Sequence, residues 1–222
     1  MSESKIHSFY LQGPAGRLEA LLNAGLPSAG YAAVVAHPHP LYGGTMHTKA
    51  VFHAMKALNS FGFPVLRFNF RGVGHSAGTH DNGAGEMDDV RAALDWLERE
   101  YRLPLIFAGF SFGAAIGLRA ACPDPRVAAL ISLGTPIGAE GRSYSYPMLA
   151  GCAKPKLLLS GGNDEYASPE QLAAVAAAAA SPKRFVLIPG ADHYFAGHLD
   201  EMRAAIQVWV ADVLQPAAGP TV

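Results

Sequence analysis

Short runs that are apolar at nearly every position recur along this chain, and amphipathic stretches lie between them. Ala32-Ala33-Val34-Val35-Ala36 comes first among them, and strand-like runs follow at 64–70, 103–108, 127–133, 156–160 and 184–188. A strand without polar alternation is one buried on both faces. Helical spacing fills the intervals. Ala50, Val51, Ala54, Met55 and Leu58 predict a helix over 46–59, and Met87, Val90, Leu94 and Leu97 predict another over 86–101. Helices are also expected at 113–121, 168–180 and 199–214; Ser168-Pro169-Glu170-Gln171 is a capping sequence with proline in the first turn. This alternation specifies an α/β fold with a mostly parallel sheet and helices on both faces.

Residues 1–30 read as an added hairpin, with 6–12 and 17–23 flanking the turn Gly13-Pro14-Ala15-Gly16. The Ala-rich stretch 173–180 reads as surface helix, and 216–222 as a flexible tail. With 222 residues the chain fits one domain spanning 1–222. Half of its residues are hydrophobic and 16% are charged, which excludes intrinsic disorder. Lys and Arg total 17 against 18 Asp and Glu, so the overall basic excess of a nucleic-acid binder is missing. The first eight residues have no apolar core of a leader peptide, and the longest apolar run, 172–180, is too short for a bilayer. Cys122 and Cys152 read as free buried thiols. The expectation is a cytoplasmic protein without a membrane partner.

The pattern G-x-S-x-G occurs twice, at 109–113 and at 74–78. It carries chemistry only as a sharp turn from strand to helix, with the serine hydroxyl above the sheet. Gly109-Phe110-Ser111-Phe112-Gly113 meets that requirement, following an apolar strand and leading into small helical residues. The copy around Ser76 follows its strand only after Arg71-Gly72-Val73 and leads into a glycine-rich loop. Ser111 is therefore the candidate nucleophile and Ser76 a turn hydroxyl.

Such a serine needs a base, and the base an orienting acid, in the chain order Ser, Asp or Glu, His. Two histidines lie downstream, and His193, just past the strand 184–188, is favoured over His198 near the last helix. Asp164, past the strand 156–160, is favoured as the acid over Glu165 and Asp192.

With these residues placed, the chain resembles the α/β-hydrolase superfamily, in particular its small, lid-poor bacterial branch near the dienelactone hydrolases. His37-Pro38-His39-Pro40-Leu41-Tyr42-Gly43-Gly44-Thr45-Met46 is similar to the loop after that branch's third strand. Arg67-Phe68-Asn69-Phe70-Arg71-Gly72-Val73-Gly74-His75-Ser76 is similar to the segment closing its fourth. Here serine stands where dienelactone hydrolases have cysteine. The resemblance implies an oxyanion hole formed by the backbone N–H groups of Phe112 and His39, with Leu41 the next choice for the second donor. With the triad of Ser111, Asp164 and His193, the expectation is a serine hydrolase acting on carboxylic esters or related small acyl compounds through an acyl-enzyme, without a cofactor.

Leu41, Tyr42, Phe110 and Tyr194 are expected to line an apolar substrate pocket. Phe195 flanks the same positions. The interval 134–155 holds too many Gly and Pro residues for a long helical lid, which predicts a partly open site for short or medium acyl groups. Two other readings use the same residues: a metal-dependent hydrolase built on His37 and His39 with Asp164 and His193, and a non-catalytic binding member of the fold.

Overall fold

The computed structural model describes residues 5–139 and 141–214. The expected tail at 216–222 and the first four residues of the N-terminal hairpin lie outside the described residues. The hairpin itself is β1 (Ile6–Gly13) and β2 (Gly16–Asn23), paired antiparallel. The remaining strands of the main sheet are β3 (Ala32–Ala36), β4 (Val65–Phe68), β5 (Leu105–Phe110), β6 (Val127–Leu133), β9 (Lys156–Gly161) and β10 (Lys183–Ile188). Two-residue strands β7 (Gly138–Ala139) and β8 (Arg142–Ser143) form a separate ribbon. The eight-stranded sheet has the order β1-β2-β4-β3-β5-β6-β9-β10. From β4 onward every neighbouring pair is parallel, so the hairpin caps the β4 edge.

Among the described residues five α-helices cover both faces: α1 (Lys49–Asn59), α2 (Ala84–Tyr101), α3 (Phe112–Ala121), α4 (Pro169–Ala178) and α5 (Leu199–Val213). One core lies between the sheet and α2, α3 and α4, with Phe107, Leu94 and Ile116 among its residues. The other lies beneath α1 and α5, around Met55, Leu58, Ile206 and Trp209. Among the described residues no helix is long and apolar enough to cross a membrane. Cys122 and Cys152 are free and buried, and they meet. Burial first, then the Cys152 contact, pushes the Cys122 thiol up to about 12.

All the expected elements except α1 fall within two residues of their place, and the departures have local causes. α1 starts at Lys49 instead of residue 46. The Met46 backbone is held from outside, its N–H donating to Asn69 Oδ1 at 2.9 Å and its carbonyl accepting from Arg67 Nη1 at 3.0 Å. α2 starts two residues early, because Glu86 reaches back to accept the Gly83 N–H at 2.8 Å and that of Asp81 at 2.9 Å. β5 begins after Pro104 and runs on through Gly109 and Phe110. The Ala-rich helix ends at Ala178, and Leu172, Ala176 and Ala179 are buried, so one side of it packs on the sheet.

Contact between β5 and α3 is close because Gly117 has no side chain. A Cβ there would lie 1.8 Å from Phe107 Cζ. Gly117→Ala should therefore overpack this face and destabilise the protein by about 1–3 kcal/mol. Urea unfolding of the variant checks this, and trimming the ring with Phe107→Leu in the same chain should recover part of the loss.

Candidate active site

Ser111 stands between the end of β5 and the first residue of α3, with φ 56° and ψ −122°. A non-glycine residue at such dihedrals is strained by about 1–3 kcal/mol and persists only when its surroundings fix it. Two backbone hydrogen bonds do so: the Ser111 N–H donates to Leu133 O at 2.9 Å, and its carbonyl accepts from Ala115 N at 3.0 Å. The flanking glycines are demanded by proximity. A Cβ on Gly109 would lie 2.7 Å from Ala114 N, and one on Gly113 would lie 2.4 Å from His37 O.

The three favoured side chains meet past the carboxyl ends of β5, β9 and β10, the edge at which open α/β sheets hold ligands. His193 Nε2 lies 2.8 Å from Ser111 Oγ. His193 Nδ1 lies 2.9 Å from Asp164 Oδ2 and 3.0 Å from Oδ1. A carboxylate only accepts, so Nδ1 carries the proton and Nε2 is left to accept from the serine hydroxyl. His193 is 1% exposed and Asp164 6%, so the line is shielded from water. Asp164 Oδ1 also accepts the Tyr166 N–H at 2.9 Å.

The rival residues have other partners. Glu165 accepts the His193 backbone N–H at 3.3 Å, so it holds the loop and not the ring. Asp192 accepts the Ala196 N–H at 2.9 Å. His198 precedes α5 and its Nδ1 lies 3.0 Å from Glu201. Ser76 is a buried link: its hydroxyl donates to Asn69 O at 2.7 Å and accepts the Glu19 N–H at 2.9 Å.

The loop after β3 approaches Ser111 from the other side. The His39 ring packs on the Phe112 ring at 4.6 Å, so the two residues expected to donate to an oxyanion are neighbours. Phe112 is the first residue of α3, where backbone N–H groups have no acceptor within the helix. Pro40–Tyr42 form a 3-10 turn, closed by N–H groups of Tyr42 and Gly44 donating to His39 O. Leu41 N–H donates to His39 Nδ1 at 3.2 Å.

His37 sits beneath this loop with both nitrogens engaged. Nδ1 donates to Pro38 O at 2.6 Å, and Nε2 accepts the Phe70 N–H at 3.0 Å. That removes His37 from a metal-ligand set. Among the described residues no group of three His, Cys, Asp or Glu side chains is placed to hold a metal ion.

A cleft of about 40 Å³ opens over Ser111, with Tyr42 and Tyr194 on its walls as expected. Two other expected wall residues lie elsewhere. Phe110 is fully buried on the α1/α5 side and stacks behind His193 at 5.1 Å, because successive strand residues face opposite ways. Leu41 is 68% exposed and borders an adjoining cavity. Phe195 is likewise core. Tyr144 and Tyr166 also stand on the cleft wall, and neither was expected there from the sequence. Tyr166 follows Asp164 by two residues, a spacing that could have drawn attention to it. In the interval 134–155 the described residues form β7, β8 and a 3-10 turn at Pro147–Gly151, without an α-helix.

Also missed were Arg67 and Asn69, two polar residues in and just beyond the buried strand β4. Together they hold the Met46 backbone and so anchor the far end of the His39 loop. Asn69 Nδ2 donates to Glu19 Oε2 at 2.8 Å, and Arg67 Nη2 donates to Asn23 Oδ1 at 3.3 Å. Burial pushes the Glu19 carboxyl up, but the His75 N–H and the Asn69 amide outweigh it and leave the group lowered.

These features are those of a known class of enzyme. Residues 41–148 match the profile of the alpha/beta hydrolase fold family. An α/β serine hydrolase homologue from Coxiella burnetii is 39% identical, with 91% of this chain and 96% of that chain covered and a TM-score of 0.82. A serine hydrolase from Xanthomonas campestris, described as having no lid, is 34% identical over 98% of both chains, also with a TM-score of 0.82. An uncharacterized protein of Rickettsia prowazekii is 35% identical over 92% of this chain and 88% of its own length. The chain belongs to the α/β-hydrolase family.

Burial drives the His37 imidazole down to about 3 from its ordinary 6.5, opposed by the Pro38 carbonyl. Between those values the unfolded chain binds one proton more than the folded one. The group's stabilising effect is thus complete above pH 6.5 and is lost as pH falls toward 3. Unfolding free energies across this range should fall more steeply with acid in the wild type than in His37→Gln, by up to about 1.4 kcal/mol per pH unit. Parallel profiles would contradict a buried neutral imidazole.

Proposed function

We propose that the protein is a serine hydrolase that cleaves carboxylic esters of short or medium acyl groups through a covalent acyl-enzyme. The observation that carries this reading is the hydrogen-bonded line from Ser111 Oγ through His193 to Asp164. Ser111 Oγ attacks the ester carbonyl while His193 Nε2 takes its proton. Asp164 keeps the proton on Nδ1 and stabilises the imidazolium. Backbone N–H groups of Phe112 and His39 receive the oxyanion, on a loop whose anchoring by Asn69 and Arg67 fixes it before substrate arrives. His193 then protonates the leaving alcohol, and a water activated by the same nitrogen releases the acid.

The small cleft over Ser111 and the absence of an α-helix over it, among the described residues, support a compact acyl group and access without a moving lid. The Xanthomonas relative's description as a lidless serine hydrolase points the same way. Turnover of p-nitrophenyl acetate and butyrate by purified variants tests the reading. Ser111→Ala should lower turnover by about 10⁶ and Asp164→Asn by roughly 10⁴. A Ser111→Ala variant that retains wild-type turnover would overturn it.

A further inference from the structure

The eight-stranded sheet ends in β10 on one side and β1 on the other, and the two edges are built differently. β10 opens with Lys183 and Arg184 directly after Pro182, and Arg184 Nη1 is paired with Asp212 of α5 at 2.9 Å. Charge and proline are common guards against pairing with a further strand. β1 has neither. Its eight residues, Ile6–Gly13, include no Asp, Glu, Lys, Arg or Pro, and their register with β2 runs without a bulge. Ile6 is 55% exposed and Tyr10 50%, although both are large apolar side chains.

Hydrogen bonding within the hairpin decides which backbone groups of β1 face outward. Antiparallel strands bond at every second residue. Lys5 O accepts the Ala24 N–H at 2.9 Å, which places the bonded residues of β1 at odd positions. β2 agrees. Glu19, opposite Tyr10, turns its backbone away from β1: its carbonyl accepts the Asn69 N–H at 2.8 Å and its N–H donates to Ser76 Oγ at 2.9 Å. Arg17, opposite Gln12, gives its carbonyl to the Ala77 N–H at 2.8 Å. The N–H and C=O groups of Ile6, Ser8, Tyr10 and Gln12 therefore point out of the sheet, and among the described residues nothing bonds to them.

We propose that this edge pairs with β1 of a second copy of the chain, antiparallel about a twofold axis at Phe9. Ile6 then meets Gln12 of the second copy, Ser8 meets Tyr10, and the symmetry repeats both contacts. Each of these is a hydrogen-bonded pair, so every outward N–H and C=O of the four residues is used. The contact is self-complementary and closes at two chains. Identical copies have no Asp, Glu, Lys or Arg along the strand to repel each other. Side chains fit the same axis. Phe9 faces α2, where its ring packs on Trp96 at 4.6 Å. The two Phe9 residues oppose each other as a non-hydrogen-bonded pair, the closer type, and join the two ring contacts across the axis. On the opposite face Tyr10 lies beside Ser8 of the second copy. Ser111 follows β5, which is separated from β1 in the sheet by β2, β4 and β3. Pairing thus leaves both clefts open and does not depend on the reaction proposed above.

Sedimentation velocity from low micromolar to near-millimolar concentration tests it. The wild type should reach the mass of two chains, reversibly, because a strand edge alone buries less than a standard interface. Ser8→Pro removes an outward N–H that has no partner within the chain, and Tyr10→Lys sets like charges near the axis. Each variant should stay monomeric at every concentration and keep the circular dichroism of the wild type. Amide exchange followed by NMR reads the register. At high concentration the Ser8 amide should exchange about tenfold more slowly in the wild type than in Tyr10→Lys, and the Phe9 amide, bonded to β2 in both, should exchange equally. A wild type that stays monomeric throughout, a dimer that survives Tyr10→Lys, or equal Ser8 exchange in the two proteins overturns the proposal. If Ser8→Pro fails to fold, Tyr10→Lys and the exchange pattern decide alone.

Discussion

The left-handed turn at Ser111 is the constraint on which the rest of the site depends. It ends β5, starts α3 and lifts one hydroxyl above the sheet within a single residue. The strain, about 1–3 kcal/mol, is held in place by a hydrogen bond into β6 and another into the first turn of α3. Small residues allow the required approach. His37 O would stand 2.4 Å from a Cβ at Gly113, so the loop after β3 lies directly against the turn. The same closeness brings the His39 ring onto Phe112.

Rigidity on the other side of Ser111 has a different source. The His39 loop contains Pro38 and Pro40, and its far end is gripped at Met46 by polar side chains of β4 and the residues that follow it. The second serine motif belongs to this grip. Ser76 bridges Asn69 O and the Glu19 N–H, tying the loop after β4 to β2. Arg71 extends the attachment to α2 through Asp89, with Nη2 donating to Oδ1 at 2.8 Å and Nε to Oδ2 at 3.0 Å. Two copies of one sequence pattern thus do opposite work: one projects its serine, the other buries it.

Much of this was legible in the sequence, because each signal was local. Apolar runs and helical spacing marked the elements, and the turn chemistry around Ser111 needed only its flanking strand and helix. Asp164 and His193 were readable because each follows a strand that ends at the same edge of the sheet. What escaped depends on distant partners. Nothing near Met46 announces Asn69, 23 positions away, so the start of α1 was placed too early. Phe110 looked like a pocket wall from its place beside Ser111, yet strand alternation turns its ring to the opposite face.

The proposed hydrolase depends on the turn at 109–113, and not the similar one at 74–78, presenting an activated serine. A fluorophosphonate reacts covalently with such a hydroxyl, and peptide mapping by mass spectrometry locates the adduct. A single adduct on Ser111 is expected in the wild type, and its loss in His193→Ala. An adduct on Ser76, or labelling of Ser111 that is equally fast without the His193 imidazole, would contradict it.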